Sequence, residues 1–452
     1  MLVVWAVSPL FAALCLSTVF RRPAHITALC GLAIAVALAL AVPGFDTPPT
    51  KLGTALGVSG ILVLSVVAVM VPGLYLNEVL KARRVHERLT QWVRELDMPA
   101  AHKRALVVTG LAPALESMTG YGVSLLVTVP VMLALTERER ALRGSMLTMA
   151  IMPWGTLGLA TVIAAQQTGN SPSTVGLSTL LYSGWVFPLF GVLASRSWAG
   201  LALGGLLSGF LVLFNWLGVV EPAGVLAGLL VTAIGMLVLG RPHRMPIGAW
   251  GPYGLLLAVI LLLRLLPTHS VAVSAGSMHW YPLSSAGVPL LITALLVTRG
   301  AVSGGQVSAA LARVRKPLTA VTAFALMSQL MVASGMITAI GGVLAGLSPV
   351  GVALVAPALA LMSGFLTGST VGGNALLMDL QLAVGRELGH PLVFTGLQNA
   401  GAGHSALASL PMIVLICAIA GEKDESKLIR FGLLVLGVLY LVFAGVTVVS
   451  VV

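Results

Sequence analysis

The stretch "ALVVTGLAPALESMTGYGVSLLVTVPVMLAL", Ala105 to Leu135, is apolar over 31 residues yet carries Pro113, Glu116, Gly120 and Gly122 near its middle. Before it stands "NEVLKARRVHERLTQWVRELDMPAAHKR", with seven Lys and Arg between Asn77 and Arg104; after it comes "TERERALR", with Arg138, Arg140 and Arg143. Basic loops mark the cytoplasmic face of a membrane protein, so the stretch begins and ends on one side. Broken in the middle, each limb has about 15 residues, short of the roughly 20 that a helix needs to cross hydrocarbon at 1.5 Å per residue. The segment therefore predicts a re-entrant hairpin over 105–135, with "LESMTGYGVSLL" at its tip. Irregular backbone at membrane depth is tolerated only where protein or a water-filled cavity surrounds it, so the tip is expected to face a site.

Composition agrees with a bilayer as solvent. Hydrophobic residues make up 58% of the chain and charged ones 9%, and the mean hydropathy is +1.03, more apolar than a soluble core requires. Apolar runs of about 20 residues recur from end to end without period-two alternation, which predicts helices rather than a β-barrel. The net charge of +11 would suggest nucleic acid in a soluble protein. Here the basic residues cluster between apolar runs, the pattern of cytoplasmic loops, and nucleic acid is excluded as a partner. Cys15, Cys30 and Cys417 lie inside apolar runs with no C-x-x-C pair; they read as small buried hydrophobes, and no metal or cofactor is expected.

The first run, "LVVWAVSPLFAALCLSTVF", is too long for a signal-peptide core and has Arg21 and Arg22 after it rather than before, so it reads as a retained span with the N-terminus outside. Alternation of sides then carries runs at about 25–43, 53–76, 145–165, 175–194, 198–218, 222–240, 247–266, 284–298 and 318–345. The predicted inside loops hold Arg196, Arg241 with Arg244, and Arg299 with Arg313, Arg315 and Lys316; the outside loops "QQTGNSPST", "EPA" and "PTHSVAVSAGSMHWYP" hold no Lys or Arg. Val85, Leu89, Trp92 and Leu96 recur at helical spacing within the long polar stretch and predict a helix along the membrane surface.

A second overlong segment, 349–384, is broken at "SGFLTGSTVGGN", Ser363 to Asn374. As a hairpin entered from outside it leaves Arg386 outside, and the run 391–420 then delivers "EKDESKLIR" to the cytoplasm. The last run, 429–450, ends outside, giving about twelve crossings and two re-entrant hairpins with both termini outside. Each hairpin is followed by an interrupted span, at "MPWGTLG" and at "QNAGAGHSALASLP"; Gly120 to Pro153 is 33 positions, and so is Gly368 to Gly401. Matched interruptions in two halves point to an inverted repeat with a transport site near the midplane. The expected division is scaffold helices at 1–52, a first repeat at 53–166, intervening scaffold at 167–317, a second repeat at 318–428 and a final helix at 429–452.

At these residues the chain resembles the L-lactate permeases, proton-coupled importers of lactate and glycolate. Leu115, Glu116, Gly120 and Gly122 match the first family signature with Tyr121 for its Phe, while Ala114, Ser117 and Ser124 replace a Phe, a Gly and a Pro. Gly364, Phe365, Leu366, Gly368, Ser369, Asn374 and Leu376 match the second, with Thr370 where an acidic or amide residue is common. "LMSQLMVASGMI", with Ser334, Gly335 and Met336, and "LLLRLLP", with Arg264, are similar to two further family helices. Thr148 stands where the family has Asn before an unwound turn. The resemblance runs from about residue 50 to 421. It implies a bacterial inner-membrane symporter for a small monocarboxylate and, from related carriers with paired hairpins, an elevator-type movement.

The residues offer matching chemistry. Free N–H groups at short helix N-termini bind anions without a full charge; Gly120, Tyr121, Gly122 and Gly368 shape the tips, and Ser117, Thr119, Ser124, Thr367, Ser369, Thr370 and Asn374 add donors. Glu116 is the candidate proton carrier, because an intramembrane carboxylate responds strongly to its surroundings; its alternative is to brace the hairpin. Asp379 is a second intramembrane acid or an interface marker, His404 a proton relay or a histidine satisfied by a neighbour, and Arg264 an anion partner or a snorkelling side chain. The expected partners are a small organic anion, protons and membrane lipid, with a homodimer admitted. Another organic anion, or sodium coupling, is the alternative cargo. An intramembrane enzyme using Ser405 with His404, or Glu116 as a base, is disfavoured by the absence of G-x-S-x-G and H-E-x-x-H motifs and by the matched halves, and a channel would have no need for Glu116 to titrate.

Overall fold

The computed structural model describes residues 2–240, 246–266, 271–276 and 278–451. Arg241, Arg244 and part of the long outside loop therefore lie outside the described residues. The chain is nearly all helix: α1 (Leu2–Thr18), α2 (Ala24–Ala41), α3 (Pro49–Ala82), α4 (Val85–Glu95), α5 (Ala100–Leu106), α6 (Ala112–Thr119), α7 (Leu125–Leu135), α8 (Arg138–Leu147), α9 (Gly155–Thr168), α10 (Pro172–Ser195), α11 (Trp198–Trp216), α12 (Ala223–Leu239), α13 (Ile247–Leu263), α14 (Gly287–Thr298), α15 (Gly304–Ala333), α16 (Met336–Ala345), α17 (Pro349–Thr367), α18 (Thr370–Glu387), α19 (Pro391–Ala406), α20 (Leu410–Ala420) and α21 (Ser426–Val451). Among the described residues, nine helical stretches are long and apolar enough to cross a membrane. A short antiparallel pair, β1 (Val273–Ala275) and β2 (Met278–Trp280), sets Val273 opposite Trp280 beside α3.

Local chemistry starts several helices where the sequence asks for it. Proline occupies the first turn of α3, α10, α17 and α19, where its missing N–H leaves nothing unsatisfied. Ser171 and Ser348 cap α10 and α17, accepting from the Thr174 and Gly351 N–H groups, each at 3.1 Å. The chain from Ala100 to Thr119 is continuous, but Val107–Leu111 widens into a π-helical turn just before Pro113. Two limbs then meet at residues 120–124. The second pair of limbs, α17 and α18, meets at Gly368 and Ser369. These limbs have 19 and 18 residues, close to the length of a full span.

Three expectations change. Val85, Leu89, Trp92 and Leu96 are buried, but the helix that carries them packs on α7 and α13, with the Trp92 ring edge-on to Trp250 at 5.4 Å. Its apolar face covers protein, not lipid. The inside loop of residues 299–317 is helical from Gly304 onward, so Arg313, Arg315 and Lys316 belong to α15, and the run 318–345 breaks at Ser334–Gly335 between α15 and α16.

Packing divides the helices into neighbourhoods. α2, α3, α14 and α15 form one, through α15 on α2 and α3 and α14 on α3; α17, α18 and α19 form another, joined by α9, α10 and α21. α12 lies against the first hairpin through small residues. A Cβ on Gly228 would come within 2.5 Å of the Ala114 nitrogen, and one on Gly224 within 2.2 Å of Ser117 Oγ. Such close approach requires glycine and is the way helices gain contact in a bilayer.

Candidate functional site

The first tip is built on left-handed backbone. Gly120, Tyr121 and Gly122 have φ of 69°, 56° and 73°, and a non-glycine residue held there costs about 1–2 kcal/mol. Glu116 holds the turn closed from one helical turn before it. Its Oε1 accepts the Gly122 N–H at 3.0 Å, and its Oε2 accepts the Ser124 hydroxyl at 2.7 Å and the Ser124 N–H at 3.4 Å. Three donors on one buried carboxylate make a charge-assisted clamp.

Next to this tip the following span breaks. Thr148–Trp154 is a 3-10 turn containing Pro153, and Thr156, Leu157 and Gly158 have φ of 51°, 55° and 66°. Thr161 bridges the break, donating its hydroxyl to the Pro153 carbonyl at 2.8 Å. Tip and break touch: a Cβ on Gly120 would lie 1.7 Å from Thr156 Oγ1.

The second tip is a helix start. Gly368, at φ 65°, ends α17, and Ser369 caps α18 by accepting the Gly372 N–H at 3.3 Å. Thr367 Oγ1 donates to the Ser369 carbonyl at 2.8 Å and accepts its N–H at 3.3 Å. The N–H groups of Thr370 and Val371 are left without an intrahelical acceptor, and the Thr370 hydroxyl is buried without a partner. The second interrupted span breaks at Leu407–Ser409, between α19 and α20, and Ser409 Oγ is likewise buried and unpartnered. A Cβ on Gly368 would meet Ser409 Oγ at 3.1 Å and Pro411 Cγ at 3.4 Å.

Both tips, the first break and the helix that follows the second break converge on one cavity of about 330 Å³. Glu116 and Tyr121 line it from the first tip, Gly155 and Thr156 from the first break, Thr367 to Gly372 from the second tip, and Pro411, Met412 and Leu415 from the start of α20. Met70, Val321 and Phe324 add an apolar wall, and His25 and Lys316 stand at its α2 and α15 side. Lys316 is exposed and makes no ion pair among the described residues. Such a space has the size of a small-molecule site, with the start of α18 on one side and one cation, Lys316, nearby.

The other expected residues lie elsewhere. Ser117 packs against α12, Thr119 donates back to the Leu115 carbonyl at 2.8 Å, and Ser124 serves Glu116. Asn374 donates to Asn399 Oδ1 at 2.8 Å, and Asn399 in turn donates to Thr161 and Thr179 at 2.9 and 3.0 Å, a buried polar knot joining α18, α19, α9 and α10. Asp379 accepts from Gln329 at 2.8 Å and Ser328 at 3.2 Å on α15. His404 bonds Ser183 Oγ at 2.7 Å, among Phe187 and Phe443. Arg264 donates to the Gly218 carbonyl at 2.7 Å and lies 3.6 Å from Glu221, away from Glu116 and the cavity. Sequence reasoning passed over Thr156, although it sits in the "MPWGTLG" interruption, and Lys316, which was read as part of a loop.

Comparison with known proteins bears on the same helices. The L-lactate permease family model matches residues 267–452, a range that holds the second tip and the second break but not the first. No curated protein matches the chain. The solved structure of the YdaH transporter from Alcanivorax borkumensis is similar at 16% identity and a TM-score of 0.46, over 89% of this chain and 87% of that one. Over residues 267–452 the resemblance to the L-lactate permeases read in the sequence is thus found again by the family model, and the long apolar helices are those of an integral membrane protein.

Proposed function

We propose that the chain carries a small monocarboxylate, lactate or glycolate-like, together with a proton across a bacterial inner membrane, and that the cavity between the tips is its binding site. The convergence of two tips, the first break and the start of α20 on one cavity carries this reading. The substrate carboxylate lies at the start of α18, against the Thr370 and Val371 N–H groups and the Thr370 hydroxyl, where unsatisfied donors and the helix dipole favour an anion. Lys316 draws anions toward the opening. Gly368 has no Cβ, and the backbone can approach the ligand there.

Glu116 is the coupling group. As a carboxylate it accepts all three donors of its tip; when protonated it becomes a donor itself, and the Ser124 hydroxyl has to turn round to accept. Protonation thereby weakens the clamp on three left-handed residues at the wall of the cavity. Asp379 and His404, off the cavity, are assigned to packing. The two hairpins and their interrupted spans then move as one body past the α2, α3, α14 and α15 neighbourhood, an elevator-like alternation.

Uptake into proteoliposomes tests the reading. An imposed pH gradient, acid outside, is expected to drive lactate above its external concentration, whereas flux indifferent to the gradient rules out the symporter. Glu116→Gln is expected to abolish proton-driven accumulation while leaving part of the lactate exchange. Wild-type uphill uptake in that variant removes Glu116 from the mechanism. Accumulation that follows a sodium gradient instead favours the sodium-coupled alternative.

A further inference from the structure

A second cluster of charge lies at the predicted cytoplasmic ends of α5, α8, α10 and α21. Arg104 is fixed there by three carbonyls, donating to Ala194 and Ser195 at 3.3 and 3.2 Å and to Leu135 at 3.4 Å. Burial first, then the Arg140 and Arg196 guanidiniums, hold its pKa below the ordinary value. Arg143 pairs with Glu139 and lies over the Phe431 ring at 5.3 Å, with its Nε buried and unpartnered. Arg140 reaches only Glu137, at 3.9 Å, and Arg196 makes no ion pair among the described residues. Of the four guanidiniums around a groove of about 420 Å³, only Arg140 and Arg143 have a carboxylate partner among the described residues, and the partner of Arg143, Glu139, is also held by Lys427. Like charges so close call for a further anion.

The other half of the groove is apolar: Leu147, Val192, Leu193 and Phe431 line it, and Leu193 is 46% exposed on the outer face of α10. A free phosphate gains nothing from that half, but an acyl chain does. We propose that this groove binds an anionic phospholipid, its phosphate between Arg140 and Arg196 and its chains along Leu193 and Phe431. Basic pockets between helices at the cytoplasmic side suit such head groups. The lipid would tie the root of the first hairpin (Arg104) and the start of the first interrupted span (Arg140, Arg143) to α10 and α21, independently of what the cavity carries.

The test is thermal unfolding of the purified full chain in detergent, with added phosphatidylglycerol, phosphatidylcholine or inorganic phosphate. Phosphatidylglycerol alone is expected to raise the Tm by several degrees, since a ligand that binds only the folded state stabilises it. Arg140→Gln with Arg196→Gln is expected to lose most of that shift, and Arg21→Gln with Arg22→Gln, on a different loop, to keep it. An equal shift from phosphatidylcholine or from inorganic phosphate overturns the proposal, as does an undiminished shift in the Arg140/Arg196 variant or an equal loss in the Arg21/Arg22 variant. Should the double variant not fold, native mass spectrometry of Arg196→Gln beside the wild type decides: loss of retained phosphatidylglycerol supports the site, and equal retention overturns it.

Discussion

Glu116 braces the first tip, and the coupling role proposed for it would rest on the same bonds. Its carboxylate closes a turn that Tyr121 would otherwise resist, and the residue is among those that line the cavity. Bracing and coupling, set as alternatives by the sequence, are compatible because the braced element is the cavity wall. Lys316 works at longer range. As an exposed cation it contributes about 0.2–1 kcal/mol to holding an anion, so Lys316→Gln is expected to raise the lactate KM by roughly 1.4- to 5-fold, and the difference should shrink as ionic strength rises. An unchanged KM at low salt sets Lys316 aside. Another titrating group lies outside the spans. His86, on α4, is buried with Nε2 unpartnered, and burial, helped by Lys81, lowers its pKa from 6.5 to about 4. The folded state binds the proton less readily than the unfolded one, so this stability is complete above about pH 6.5 and is lost as pH falls toward 4, on the order of 3 kcal/mol in all. His86→Leu should flatten the fall in Tm between about pH 7 and about pH 4.5; a fall as steep as that of the wild type would place the acid sensitivity in other groups.

At the scale of elements, the break at the first tip was legible because Pro113, Gly120 and Gly122 interrupt an apolar stretch with basic residues on both flanks, although the limb before it is longer than expected, continuous from Ala100 to Thr119. The second break was not where its glycines pointed. Gly401 lies inside α19, and the chain opens at Leu407–Ser409 instead. The glycines before the break serve close approach. A Cβ on Gly396 would lie 2.4 Å from the Ser178 backbone, one on Gly401 2.5 Å from Ala360, and one on Gly403 2.5 Å from Pro153. A glycine in a membrane helix permits either a break or a tight contact, and one sequence does not say which. The polar knot was hidden for a similar reason, since Gln398 and Asn399 have no local pattern and their partners stand on other helices. The one side chain of Asn399 bonds residues of α18, α9 and α10. Replacing it with Leu removes the donor that Thr161 and Thr179 accept, although both hydroxyls keep their bonds to the Pro153 and Val175 carbonyls, and leaves the Asn374 amide only the Ala160 carbonyl at 3.4 Å; the loss is about 1–3 kcal/mol for the knot. Asn399→Leu is therefore expected to unfold several degrees below the wild type in detergent; an unchanged Tm would mean that water or a rearranged side chain takes its place.

At the scale of the whole molecule, the proposed alternation requires one neighbourhood of helices to move past another. Two side-chain ties cross from α15 to the second hairpin, the bonds from Ser328 and Gln329 to Asp379, and α16 also lies against α18. If the hairpins travel as a body, these contacts have to slide in each cycle; in a channel, or in a carrier that moves only its tips, they stay. Gly341 on α16 and Ala383 on α18 allow a direct test, because a Cβ built on Gly341 lies 3.7 Å from the Ala383 Cβ, within the span that a disulfide bridges. In a background with Cys15, Cys30 and Cys417 replaced, Gly341→Cys with Ala383→Cys should cross-link on oxidation, stop lactate uptake, and recover it on reduction. Neither residue lines the cavity, so binding of lactate to the cross-linked protein should survive and separate arrest from damage. Oxidised protein that transports at the reduced rate would fix α18 to its neighbours throughout the cycle, and the alternation would then have to come from the tips alone, through the left-handed turns at Gly120–Gly122 and Thr156–Gly158.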